Sequence, residues 1–104
     1  MSKAENENDA TKPAWHHMPF AALDETAMVF AYGAAKHGAG DYKGPDAPSV
    51  SYCIGAAMRH LSAFMRGDVR DADSGRHALA HAAARVLIAL ERCIDENEEA
   101  LHAL

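Results

Sequence analysis

SGRHALAHAAARVLIALERCI, residues 74–94, reads as a helix with two unlike faces. At about 100° per residue, Leu79, Ala83, Val86 and Leu90 fall within about 60° of one another, and Ile94 extends their line. His77, His81 and Ile88 lie on the opposite side. Such a helix needs a neighbour on each face. Ser74 is the natural N-cap, and the stripe Leu79, Ala83, Val86, Leu90 and Ile94 is the natural core contact.

Upstream, DVRDADSG reads as a loop, and Gly67 closes a second helix capped by Ser49 or Ser51. Its apolar face is Ile54, Ala57 or Met58, Leu61 and Met65. Before it, GAGDYKGPDAP over 38–48 has three glycines and two prolines and is a loop. From about 20 to 37, Phe20, Leu23, Ala27, Phe30 and Ala34 recur at helical spacing, with Pro19 suited to the first turn. Glu25, Val29, Tyr32 and Lys36 share the other, solvated face. No segment alternates with period two. The expected fold is all-α, three main helices in a small bundle completed by oligomerisation to a dimer or tetramer. Residues 1–12 form a disordered arm, 13–94 a single helical domain, and 95–104 an acidic C-terminal extension.

The 104 residues carry 10 Lys and Arg against 15 Asp and Glu, a net charge of −5, which excludes a nucleic-acid scaffold. The charge is uneven. Residues 1–12 contribute −1 and 95–104 contribute −4, so the body is neutral, and 57–94 carries six arginines against Asp68, Asp71, Asp73 and Glu91. A small anion suits that stretch. Hydrophobic residues make up 49 %, too many for disorder, and no apolar run approaches the ~18 residues of a membrane span. Cys53 and Cys93 form no disulfide or zinc pattern, and no basic-then-apolar leader is present, so a cytoplasmic protein is expected.

Seven histidines are many for this length, and their placement is informative. His16, His17 and His102 lie near the ends. His77 and His81, at i and i+4, stand one above the other as helical metal ligands do. Asp71 and Asp73 add oxygen donors from the loop, and His60 adds a third imidazole. This mixture suits Mn, Fe, Co or Zn better than Mg. Arg59 offers a bidentate phosphate contact, Lys36 a second cation, and Glu25 a base that orients water. Tyr42 and Lys43 are placed to stack on a base and touch a phosphate. Neither cysteine nor Ser74 is set up as a nucleophile, so an activated water is expected to attack.

KPAWHHMPFAALDETAMVFAYGAAKHG, a Gly-rich loop ending in an aromatic, and AAMRHLSAFMRGDVRDADSGRHALAHAAA together resemble the small phage-type dATP/dGTP diphosphohydrolase family. The residues that match are Pro19, Gly33-Ala34, Lys36, Gly38, Arg59-His60-Leu61, Gly67, Asp71, Ser74-Gly75 and His81-Ala82. The resemblance covers about 12–92. It implies an all-α, MazG-like nucleotide hydrolase that converts a purine deoxynucleoside triphosphate to monophosphate and pyrophosphate with a divalent metal (Mn, Co, Mg, Fe or Zn). Lys36, Tyr42 and Arg59 would bind substrate, Glu25, Lys36 and Arg59 would act in catalysis, and His60, Asp71, His77 and His81 would hold the metal. The chain departs from the family pattern in four places. His37 replaces a tyrosine, Asp41-Tyr42 replaces Asn-Trp, His77 sits one residue early, and the second helix has no acid to build an all-carboxylate site. Two other readings fit the same residues: a module that sequesters a nucleotide without cleaving it, and a structural helical oligomer whose histidine face is an interface.

Overall fold

The computed structural model describes residues 10–38 and 40–103, apart from the side chains of residues 41 and 97–103. Most of the arm expected over 1–12 lies outside the described residues. The fold is all-α, with α1 (Phe20–His37), α2 (Val50–Met65) and α3 (Ala78–Ala103), and single 3-10 turns at Trp15–His17 and Asp41–Lys43. α3 runs through the acidic segment to Ala103.

Ser49 rather than Ser51 caps α2, its hydroxyl oxygen accepting the Tyr52 N–H at 3.1 Å. Gly67, with φ +96°, lets the chain leave that helix, because a side chain in this region would clash with its own backbone. α2 and α3 form an antiparallel hairpin. Pro48 meets Arg92 at 2.7 Å, His60 meets His81, and Phe64 meets His77. α1 lies across α3 through Val29, Ala80 and Ala84, with Phe30 beside them.

The start of α3 differs from the sequence expectation. Ser74 is not its cap; the helix begins at Ala78, and the His77 ring takes the capping role by accepting the Leu79 N–H at Nδ1, 3.1 Å away. The cause lies in the loop. Asp71 Oδ2 accepts the N–H groups of Asp73 and Ser74 at 3.0 and 2.9 Å, Gly75 turns back at φ +73°, and Arg70 and His77 pair across an antiparallel bridge. Residues 70–77 thus close on themselves before the helix starts.

Most of the expected core positions also turn outward, although Ala57 is buried and Phe30 packs against the core as expected. Among the described residues the buried apolar side chains are Val29, Cys53 and the alanines at 56, 57, 78, 80, 82, 84 and 89. Ile54, Met58, Leu61 and Met65 on α2, and Leu79, Val86, Leu90 and Ile94 on α3, are each 41–82 % exposed. On α1, Phe20 and Met28 are exposed, whereas Thr26 and Val29 are buried and Glu25 and Tyr32 turn toward α3. Small side chains let helix axes approach closely, so alanine lines make the intramolecular contacts. The two exposed stripes share one side of the hairpin. Each lies roughly 100° round its helix from the line facing the other, in the same sense, and antiparallel helices bring equal offsets to the same side. α1 covers the opposite side.

Candidate functional site

On the α1 side of the hairpin is a cavity of about 430 Å³, lined by residues of all three helices and both connecting loops. Lys36 and Tyr32 come from α1, Tyr42 from the Gly-rich loop, His60 from α2, Asp71 and Asp73 from the second loop, and His81 and Arg85 from α3. The cavity therefore assembles Lys36, Tyr42, His60, Asp71 and His81 from the residues singled out in the sequence. It does not take in Glu25, Arg59 or His77.

His81 is the most constrained of these groups. Its side chain is 11 % exposed, its ring stacks on His60 at 4.8 Å, and Tyr32 meets it edge-on at 6.3 Å. Its Nε2 shares a 2.6 Å hydrogen bond with the Ser74 hydroxyl and lies 3.9 Å from Asp71 Oδ2. The Arg76 N–H donates to Ser74 Oγ at 3.1 Å, so the loop fixes the hydroxyl that in turn fixes the ring. Ser74 therefore holds His81 instead of opening the helix.

Among the described residues, three ionisations are displaced. The N–H of Ser74 is the main cause holding the Asp71 carboxyl below its ordinary range. Burial is the main cause lowering the His60 pKa, with the neighbouring His81 adding to it, so His60 favours the neutral ring. The His77 N–H is the largest influence on Glu25, also held low. Glu25 Oε2 accepts that N–H at 3.0 Å and Oε1 meets Arg76 at 3.3 Å, so this carboxylate ties α1 to the start of α3.

The expected metal ligands do not converge. Among the described residues, no three His, Cys, Asp or Glu side chains are placed to hold one ion. The His60 and His81 rings are nearly parallel, 26° apart, and nitrogen lone pairs lie in the ring planes, so stacked rings do not aim at a common point. His77 uses Nδ1 as a helix cap. The donor set thus does not fit a resident metal centre.

Sequence reasoning passed over Arg85, Tyr32 and Tyr52. Arg85 lines the cavity, and its guanidinium carbon lies 5.8 Å from the centre of the Tyr52 ring; that of Arg59 lies 5.7 Å from the same ring. The available signal was spacing, since Tyr52 and Arg59, at i and i+7, share a face of α2. On the loop side, Tyr42 packs edge-on against Phe30 at 5.9 Å with Lys43 over its ring.

No helix among the described residues is long and apolar enough to cross a membrane. No curated protein and no solved structure matches the chain. The family model for the N-terminal region of dATP/dGTP diphosphohydrolases matches residues 2–101, nearly the whole chain. By that match and the motifs that line its cavity, the chain belongs to the dATP/dGTP diphosphohydrolase family.

Proposed function

We propose that this chain hydrolyses a purine deoxynucleoside triphosphate, dATP or dGTP, to the monophosphate and pyrophosphate in the cavity between α1 and the hairpin. The observation that carries this reading is the joining of two cations, three aromatic rings, three imidazoles and two carboxylates in one cavity of a chain belonging to this family. Tyr42, braced by Phe30, stacks on the base. Lys36 offsets polyphosphate charge. His60, kept neutral by burial, accepts a proton as water attacks the α-phosphorus and the bond to the bridging oxygen breaks, releasing pyrophosphate. Asp71 also holds the loop through its backbone hydrogen bonds. The divalent ion enters with the triphosphate as part of the substrate, where it screens phosphate charge; Asp71 and Asp73 are the cavity's carboxylates.

The test is incubation of the purified chain with each dNTP and Mn, Co, Mg, Fe or Zn, with chromatographic separation of the products. Monophosphate and pyrophosphate in equal amounts are expected from dATP or dGTP, and no turnover with any metal overturns the reading. The stacking of the His60 and His81 rings, which do not aim at a common point, favours one second reading, a module that binds the nucleotide without cleaving it. Its signature is ligand recovered intact after denaturation.

The working form we propose is a homo-oligomer joined through the apolar side of the hairpin. The eight residues of the two stripes together expose on the order of 700–800 Å², above the ~300–600 Å² of the largest patch on an ordinary monomer. One partner's share of a standard interface is also about 800 Å². Between Val50 and Met65, and between Ala78 and Ile94, this side carries no charged residue, so a two-fold copy meets it without like-charge repulsion. An alanine core gains about 0.8 kcal/mol per buried methylene-sized group, which makes a constitutive cover, a second copy, the fitting occupant.

A further inference from the structure

We propose that Arg59 and Arg85, gathered by the Tyr52 ring, form an anchor for a pyrophosphate group at the rim of the cavity. The inference rests on the reading that a polyphosphate enters that cavity. It assigns the phosphate end to α2 and α3, away from Tyr42.

Both guanidinium groups lie against one aromatic ring, at 5.7 and 5.8 Å from its centre. Neither has a carboxylate partner among the described residues, where the Lys and Arg ion pairs are Arg76 with Glu25 and Arg92 with Glu96. The sequence explains why. α2 contains no acid between Val50 and Met65, and the first acid of α3 is Glu91. Two like charges gathered at one ring without a counter-ion repel, weakly in water and several times more strongly beside a protein surface. An anion between them reverses that sign. Arg85 also lines the cavity, as does Lys36, so the positive charge of the rim continues inside. Arginine suits the task because its planar fork gives two parallel hydrogen bonds to a phosphate. Tyr52 is 54 % exposed and acts as a positioning residue, restricting both forks by cation–π attraction.

The experiment is titration calorimetry with inorganic pyrophosphate on the whole chain, with dNTP hydrolysis measured separately. The unaltered protein is expected to bind pyrophosphate. Arg85→Ala and Arg59→Ala should each weaken binding about tenfold or more, the scale of one lost charge-assisted contact. Arg85→Lys should recover part of the loss, since charge remains and the fork does not. Tyr52→Leu should weaken binding while Tyr52→Phe, which keeps the ring, should not; a merely structural tyrosine would not separate the two in this readout. Melting curves establish that each variant is folded, and the Lys and Phe variants carry the test if an Ala or Leu variant is not. Pyrophosphate binding that is absent from the unaltered protein, or unchanged in folded Arg85 variants, overturns the anchor. Binding sensitive to Arg85 in a protein that turns over no dNTP keeps the anchor and removes the hydrolytic reading.

Discussion

The two sides of the α2–α3 hairpin are built from the same two helices and have opposite chemistry. One side carries His60, His81 and Arg85 and is roofed by α1 and the Gly-rich loop around a cavity. The other carries Ile54, Met58, Leu61, Met65, Leu79, Val86, Leu90 and Ile94, all substantially exposed. The alanine seam between them serves both. It brings the helices close enough for His60 to stack on His81, and it leaves the large apolar side chains with no intramolecular place to go. The polar side is closed over within one chain, and the apolar side is left uncovered by it.

The largest effect is expected on the apolar side. Replacing Leu61 and Leu90 together by Asp should abolish assembly, read as a fall to monomer mass in sedimentation velocity with a large loss of helical signal, because charge enters a dry contact. An unaltered protein that sediments as a monomer, or a double variant that keeps the parent mass, breaks the comparison. On the polar side, His81→Ala should lower kcat/KM by about a hundredfold or more while leaving mass and helicity in place, because its ring stacks on His60, the proposed base, and a displaced base loses its alignment with the water. A variant within twofold of the parent would reduce His81 to a packing residue.

Acid should act on the polar side alone. Glu25 and Asp71 both ionise more readily in the folded chain than in the unfolded one, whose ordinary values are 4.5 and 3.8. Their contribution is complete above those values and is lost as pH falls through the lower folded values. Tm should therefore begin to fall as pH drops through the ordinary histidine value of 6.5, because burial of His60 disfavours its charged ring, and fall further below about 5 as the two carboxylates protonate; Glu25→Gln should shallow that second fall, and a fall of equal slope in that variant would remove Glu25 from the account. The smallest effect belongs to Ser49→Ala at the start of α2, which should cost about 1 kcal/mol, or ~4–8 °C in Tm, without changing mass or turnover.

Much of the chain was legible as sequence. The limits of α1, the Ser49 cap and the Gly67 stop follow from local backbone chemistry, and the structure keeps them. Lys36, Tyr42, His60, Asp71 and His81 were each singled out, and they line one cavity. Ser74 misled because Asp71 captures its N–H before a helix can, a competition between two local hydrogen-bond patterns that differ little in energy. Glu25 and His77 looked like site residues, yet each satisfies a backbone group at the α1–α3 junction. Arg85 was counted only among the six arginines of 57–94, since nothing in its neighbours along the chain announces that Tyr52 will lie beside it.

The sequence by itself determined three helices and the loops between them, because helical periodicity, caps and glycine breaks are properties of a few neighbouring residues, and its motifs carried the resemblance to the family. Only the tertiary structure decided which face of each helix turns inward. Periodicity marks an apolar face without saying whether this chain or another copy covers it, and the close approach that alanines allow sent the larger side chains outward. The same choice placed Arg85 beside Tyr52 and Arg59, a pairing that depends on the register of two helices and on no property of either one.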